Sequence, residues 1–107
     1  MEEKYIQIVV SAPEEKIASD IAEKLLVARL VACVQVSSQV ISYYRWKGKI
    51  EKAVEVLLYI KTSERRYNDV EKMVLELHPY DVPEIIALPI LQGNKNYLSW
   101  VEENVKG

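Results

Sequence analysis

Four side chains that can bind a cation or exchange a proton lie within one short segment of the chain. They are His78, Tyr80, Asp81 and Glu84, and His78 is the only histidine among the 107 residues. Two prolines in the same segment disfavour helical geometry in the residues that precede them. His78 should therefore end a helix, and the other three should lie in a short rigid loop. Because Cu(II) accepts imidazole and carboxylate ligands, His78, Asp81 and Glu84 are a candidate metal site.

A structural role for His78 is the alternative, and it is the one that we favour. An imidazolium at the end of a helix gains about 0.3–1 kcal/mol from the helix dipole and the free carbonyl groups. One histidine per chain is a poor metal site, since metals usually take several protein ligands. The spacing of Asp81 and Glu84 in a loop does not ensure that they converge, although a neighbouring subunit could supply further ligands. Cys33 stands in an apolar strand, where a thiol usually behaves as a small buried hydrophobe, so we expect it to be structural.

The composition of the chain argues against nucleic-acid binding and membrane association. The chain has 14 basic and 16 acidic residues, so it lacks the basic field that nucleic-acid binding requires. We expect no membrane association, because no apolar run is long enough to cross a bilayer and the acidic residues after Met1 do not suit a signal peptide. A single cysteine cannot form an internal disulfide, which favours the cytoplasm. At this length we expect one domain, residues 1–107, with one core.

The hydrophobic pattern predicts the elements that hold these residues, in the order β-α-β-β-α-β-α. Predicted strands cover residues 5–10, 31–36, 39–46, 50–61 and 85–91, and the last of these is expected to be buried. The first helix should start at an N-cap Ser11 and run to about Leu30, and Thr62 or Ser63 should cap the second. Helical spacing gives the second helix an apolar face of Tyr67, Val70, Val74 and Leu77, and gives a last helix Tyr97, Val101 and Val105. This order predicts a ferredoxin-like α+β sandwich, with an extra helix at the C-terminus.

The two middle strands exceed the usual length of about five or six residues, so their hairpin should project beyond the sheet. Tyr43, Tyr44 and Trp46 lie on the first arm, and Leu57 and Tyr59 stand on the face of the second arm that should meet water. An apolar hairpin of this kind promotes aggregation unless another copy of the chain covers it. We therefore predict that these five residues form a subunit interface. The alternative is that the C-terminal helix covers the second face of the hairpin within one chain.

Five segments of the chain together resemble the CutA family, the divalent-cation tolerance proteins. They are Ala32-Cys33-Val34, residues 42–50 (Ser-Tyr-Tyr-Arg-Trp-Lys-Gly-Lys-Ile), Lys61-Thr62, residues 78–85 (His-Pro-Tyr-Asp-Val-Pro-Glu-Ile) and residues 97–100 (Tyr-Leu-Ser-Trp). The resemblance implies a ferredoxin-like subunit in a homotrimer similar to the PII signalling proteins, with long hairpins that pair between subunits. It also implies a cytoplasmic microbial protein linked to tolerance of copper and other heavy metals. No reaction is assigned to the family.

The copper ligands of this family are only partly present. Copper binding there is attributed to a cysteine at the end of the first strand and to a histidine, sometimes doubled, at the end of the second helix. Here Val9 and Val10 end the first strand, and Leu77 precedes His78, so His78 alone remains of that set. The resemblance therefore implies at most weak Cu(II) binding and no obligatory cofactor.

Other functions remain open beside metal tolerance. A small-ligand sensor would use clefts between subunits, as the PII proteins do. Candidate residues for such clefts are Lys61, Tyr80 and Trp100, and further ones are Ser42, Tyr44, Lys47, Thr62 and Glu84. A scaffold would instead use the trimer itself to display hairpins or termini. We do not expect an enzyme, because no positioned nucleophile accompanies the single histidine and the loop after the first strand has no phosphate cradle.

Overall fold

The chain forms five β-strands and three α-helices in a computed structural model that describes residues 4–107. The strands are β1 (Tyr5–Ala12), β2 (Cys33–Val36), β3 (Val40–Trp46), β4 (Lys49–Ser63) and β5 (Ile85–Ile90). The helices are α1 (Glu15–Val27), α2 (Tyr67–Leu77) and α3 (Lys95–Asn104), and a short 3-10 turn at Glu64–Arg66 precedes α2. Among the described residues, no helix is both long and apolar enough to cross a membrane.

The sheet has the strand order β2-β4-β1-β5, and β3 also pairs with β4. β1 and β2 are joined by α1 and both run antiparallel to β4, so they are parallel to each other. β4 and β5 are joined by α2. Both run antiparallel to β1, which lies between them, so they are also parallel to each other. Two crossovers between parallel, non-adjacent strands define the ferredoxin-like α+β sandwich, so the prediction of that fold is confirmed.

A break at residues 37–39 separates β2 from β3 along their shared partner β4. Ser37 spans this break with two hydrogen bonds to one residue. Its N–H donates to the carbonyl of Leu57 over 2.8 Å, and its Oγ accepts from the N–H of Leu57 over 2.9 Å. Leu57 of β4 therefore has a hydrogen-bonded partner at the point where neither β2 nor β3 pairs with it.

One apolar core lies between α1, α2 and one face of the sheet. Successive strand residues point to opposite faces, so β1 and β4 contribute alternate residues to it. Its buried members include Ile8, Val10, Leu58 and Ile60 from the sheet, Ala18, Ile21 and Leu25 from α1, and Val70 and Val74 from α2. Tyr67 and Leu77 also pack against this core. The predicted apolar face of α2 is therefore confirmed.

The predicted start of α1 is wrong. Ser11 is not an N-cap, because β1 continues past it and Ser11 pairs with Leu57 in β4. The helix begins only at Glu15, and it ends at Val27 rather than near Leu30. Sheet pairing along the full length of β1 outweighed the local capping signal.

The predicted cap of α2 is also wrong in its chemistry. Thr62 is a strand residue whose hydroxyl donates to the carbonyl of Leu30 over 2.7 Å. Ser63 does precede the 3-10 turn, but its side chain makes no capping hydrogen bond. A side-chain cap is present on α3 instead, where Oδ1 of Asn94 accepts from the N–H of Tyr97 over 3.0 Å.

β5 is an edge strand with exposed apolar residues, so its predicted burial is wrong for the single chain. Ile86 and Leu88 each keep 47% of their surface exposed. They lie opposite Val9 and Gln7 on the face of the sheet that α1 and α2 do not cover. An apolar run alone does not distinguish a buried strand from an edge strand that lacks a cover. This side of the sheet, which carries Val9, Leu57, Tyr59, Ile86 and Leu88, is called the open face below.

The hairpin of β3 and β4 projects from the sheet, as predicted. The molecule measures 46 × 26 × 23 Å, and β4 is 15 residues long. Lys47 and Gly48 form the turn with φ angles of 50° and 78°, a left-handed conformation that suits the glycine and is uncommon for the lysine. α3 packs at the other end of β4, where Val101 and Val105 cluster with Ala32.

Candidate functional site

His78 is buried at the end of α2, and both nitrogens of its ring form hydrogen bonds to the backbone. Nε2 lies 2.6 Å from the carbonyl oxygen of Ser11, and Nδ1 lies 3.2 Å from the amide nitrogen of Tyr80. A carbonyl oxygen only accepts and an amide N–H only donates, so Nε2 carries the proton and the ring is neutral. His78 therefore ties the loop after α2 to β1. This agrees with a structural role for His78, although the role uses a neutral ring rather than an imidazolium.

Tyr80 connects the same loop to the base of the hairpin. Its hydroxyl donates to Oε2 of Glu55 over 2.9 Å, and its ring centre lies 4.7 Å from that of His78. Glu55 is only 7% exposed, although it is a charged residue of a strand. Burial raises the pKa of Tyr80 to about 12, and the hydrogen bond and the negative charge of Glu55 add to the shift. The phenol therefore remains a protonated donor at neutral pH.

Glu55 is a site residue that the sequence analysis missed. It stands between Val54 and Val56, and an acid at such a position in an alternating strand normally faces water. The loop after α2 brings Tyr80 to it and so provides a partner for the buried carboxylate. The only signal in the sequence was a tyrosine in a loop held by two prolines, which indicates a fixed loop but not its contact.

The three residues of the predicted metal site do not form a ligand set within one chain. Asp81 and Glu84 are exposed, whereas His78 is buried with both ring nitrogens engaged. In the described part of the chain, no group of three or more His, Cys, Asp or Glu side chains could hold a metal ion. Copper could use Nδ1 only after the contact with the N–H of Tyr80 had been broken. Within residues 4–107 of a single chain, the side chains near His78 therefore do not fit a copper ion.

The three residues of the predicted ligand cleft lie in two different places. Lys61 lines a cavity of about 440 Å³ between the open face and the first turn of α3. Trp100 is exposed on α3, and its ring centre lies 5.7 Å from that of Tyr97, which also lines the cavity. Tyr80 instead contacts Glu55, six positions before Lys61 along β4. Lys61 therefore lines the cavity, Trp100 reaches it only through its contact with Tyr97, and Tyr80 belongs to the cluster around His78.

Tyr43, Tyr44 and Trp46 of the predicted interface are exposed on the projecting hairpin, Tyr43 to 67%. The ammonium groups of Lys52 and Lys47 lie 5.8 and 5.9 Å from the ring centres of Tyr43 and Trp46. Cation–π contacts at exposed sites contribute roughly 0.5–1 kcal/mol each. The hairpin therefore presents aromatic surface far from the core of its own chain.

Leu57 and Tyr59 of the predicted interface belong to a larger apolar patch on the open face. Both are half-buried, and Tyr59 lies in register with Val9, which lies opposite Ile86. Leu88 extends the patch along β5. The sequence analysis missed Ile86 and Leu88 because it expected β5 to be buried. The patch crosses three strands, β4, β1 and β5.

Comparisons with known proteins identify close relatives of this chain. A family model described as CutA1 divalent ion tolerance protein matches residues 6–104. The divalent-cation tolerance protein CutA of Thermus thermophilus is 42% identical over 97 residues, which cover 91% of this chain and 94% of that protein. A protein CutA homolog of Xenopus laevis is 47% identical over 96 residues, which cover 90% of this chain and 64% of that protein. The crystal structure of CutA1 from a psychrotrophic Shewanella has a TM-score of 0.95 at 37% identity and covers 100% of both chains.

Proposed function

Because this chain belongs to the CutA1 family of divalent ion tolerance proteins, we propose that it takes part in divalent-cation tolerance as a homotrimer in the cytoplasm. The observation that supports a homotrimer is the apolar open face, where Ile86 and Leu88 are exposed at the edge of the sheet. Apolar surface of this kind usually marks an interaction site. The link to metal tolerance is supported by the names of the relatives, among them the protein from Thermus thermophilus.

A homotrimer similar to the PII proteins accounts for two separate exposed surfaces. The hairpin presents Tyr43 and Trp46 at a distance from the core. The edge strand β5 presents Ile86 and Leu88 together with backbone groups that pair with no other strand on one side within the described part of the chain. A head-to-tail contact between two different surfaces closes into a ring when its rotation is one third of a turn. The unit of this ring is one domain, residues 1–107.

Any Cu(II) binding near His78 is weak in this proposal. The support is that His78 has both ring nitrogens in hydrogen bonds, while Asp81 and Glu84 are exposed and do not converge with it. A tight site would need ligands from a neighbouring subunit. Divalent-cation tolerance therefore does not rest on a copper site built by one chain.

A titration of Cu(II) against a competing chelator tests this proposal, with the subunit count measured by light scattering in the same samples. We expect a trimer, and equally weak copper binding by the wild type and by His78→Ala. His78→Gln is the companion variant, because its amide can still donate to the carbonyl of Ser11. A monomer would contradict the assembly. Stoichiometric binding by the wild type that is lost in His78→Ala would contradict the weak-binding proposal and make metal sensing the leading function.

A small-ligand sensor is the second candidate function. A trimeric scaffold, which would display hairpins or termini and bind no ligand, is the remaining alternative. The observation that favours a sensor is the cavity lined by Lys61 beside α3. In a trimer whose subunits meet at the open face, this cavity would border a cleft between subunits. Metal binding would then be incidental to the function.

We also propose that the protein is not an enzyme. The support is that its only histidine uses both ring nitrogens for backbone hydrogen bonds, so no imidazole is free to act as the base for a nucleophile. The proposed cytoplasmic location is supported by the free thiol of Cys33, which suits a reducing compartment. Fractionation of cells of the source organism tests the location, and recovery outside the cytoplasm would contradict it.

A further inference from the structure

The cavity between the open face and α3 has apolar walls and a small number of polar groups. Its apolar lining residues are Leu88, Pro89, Ile90 and Leu98, its polar ones are Gln7, Lys61, Gln92 and Tyr97, and Gly93 completes the lining. The volume of about 440 Å³ lies within the range of small-molecule sites. Such sites are mostly apolar, with a few polar groups that fix the orientation of the ligand. The lining of this cavity has that composition.

Lys61 is the one charged side chain among these lining residues. Its Nζ donates to Oε1 of Gln35, a neutral amide, over 2.9 Å. Among residues 4–107, none of the ion pairs involves Lys61. An ammonium group has three donors, so two remain for a ligand after the bond to Gln35. The cavity therefore combines apolar walls with a positive charge that no carboxylate of the described chain balances.

Tyr97 lines the cavity with a phenol that stays neutral. Its hydroxyl lies 3.9 Å from Sγ of Cys33, which is half-buried in register with Lys61. Burial raises the pKa of Tyr97, and the contact with Cys33 adds to the shift. A neutral phenol can donate to an anion, whereas a phenolate would repel it. The polar groups of the cavity can therefore accept one negative charge without a second cation.

We propose that this cavity binds a small amphipathic monocarboxylate, with the carboxylate at Nζ of Lys61 and the apolar part against Leu88 and Leu98. A multiply charged anion would gain nothing from the apolar walls and would meet only one cation. A neutral apolar molecule would bury Lys61 without a partner for its charge, which is costly. This proposal deepens the small-ligand alternative above, and it requires neither a metal ion nor His78.

Binding of 3-phenylpropanoate and of its neutral amide, 3-phenylpropanamide, tests this proposal by calorimetry on the whole protein. We expect the wild type to bind the acid more tightly than the amide. Lys61→Met keeps the length and apolar stem of the side chain, and it should weaken binding of the acid by about tenfold or more while leaving the amide unchanged. Lys52→Met is the matched control, because Lys52 lies on the hairpin outside the cavity, and it should bind both probes as the wild type does.

Equal affinity of the wild type for the two probes would overturn the proposal, and so would unchanged binding of the acid by Lys61→Met. Leu98→Trp provides a second test if Lys61→Met does not fold, since it fills the cavity from α3 and leaves Lys61 in place. It should weaken binding of the acid, and unchanged binding would again overturn the proposal. The copper titration and the subunit count do not depend on these probes, so failure here is separable from failure of the metal-tolerance proposal.

Discussion

The hydroxyl of Tyr80 donates a 2.9 Å hydrogen bond to Oε2 of Glu55, a carboxylate buried at the base of the projecting hairpin. This bond joins the loop after α2 to β4 across 25 positions of sequence. His78 anchors the same loop to β1 through the carbonyl of Ser11. The loop that carries the candidate metal ligands is therefore fixed to the sheet at two points.

Tyr80→Phe should destabilise the fold by about 1–3 kcal/mol, because it leaves the buried carboxylate of Glu55 without its phenol donor. Urea denaturation measures the change in the free energy of unfolding. Tyr43→Phe is the matched control, since the hydroxyl of Tyr43 has no hydrogen bond among the described residues and Phe keeps the ring that the hairpin presents, and it should change little. Equal stability of the two variants would show that the bond to Glu55 contributes nothing.

The stability of the protein should fall in alkaline solution, and Tyr80 should account for part of the loss. Its pKa is raised from 10.0 to about 12 in the folded state, so the folded protein holds the phenol proton more tightly than the unfolded chain does. The resulting stabilisation is fully present below a pH of about 10 and is lost as the pH rises through about 12. The difference in unfolding free energy between wild type and Tyr80→Phe should therefore shrink over that range.

The other titrating groups are common to both proteins in this comparison and cancel, including Tyr67 and Tyr97, whose pKa values are also raised. Denaturation curves at several pH values between about 9 and 12 give the difference directly. A difference that stays constant over this range would mean that the proton of Tyr80 is not linked to folding.

Ile86→Glu should break the trimer into monomers, because it places a charge in the apolar patch of the open face. Val27→Glu introduces the same charge at an apolar residue of α1 that is 84% exposed, away from the open face, and it should leave the trimer intact. Sedimentation velocity at several concentrations distinguishes the two species. If both variants sediment as the wild type does, Ile86 is not part of the interface.

Trp46→Ala should weaken assembly without unfolding the subunit, since the ring of Trp46 is exposed on the hairpin and packs outside the core of its own chain. Light scattering on dilution should show dissociation at a higher protein concentration than for the wild type. Leu75→Ala is the control, because Leu75 is an exposed apolar residue of α2. Dissociation of Trp46→Ala at the same protein concentration as the wild type would refute this role for the hairpin.

The fold could be predicted from the sequence because its signals are local. Alternation around Ile8 and Leu58 identifies two strands, and the spacing of Val70 and Val74 identifies a helix face, without knowledge of what lies across the sheet. The length of the hairpin is also a local property. From the order of these elements, the rules for crossover connections then give the ferredoxin-like arrangement.

The features that the sequence analysis missed depend on neighbours that are distant along the chain. Burial of Glu55 results from the path of the loop that carries Tyr80, and exposure of Ile86 results from the edge position of β5. Ser11 has the residue type of an N-cap but serves as a strand residue, and its carbonyl holds His78. In each case the information that the sequence lacked was the partner of the residue.

β4 continues from the hairpin turn at Lys49 to Ser63, and the double hydrogen bond between Ser37 and Leu57 supports it where its neighbour is interrupted. The hairpin and the sheet therefore share one continuous strand, which joins them rigidly. Tilting the tip must tilt the sheet as well, so a neighbour that grips the hairpin fixes the orientation of the entire subunit. The hairpin is therefore a rigid extension of the sheet rather than a flexible attachment, and the two meet near Leu57.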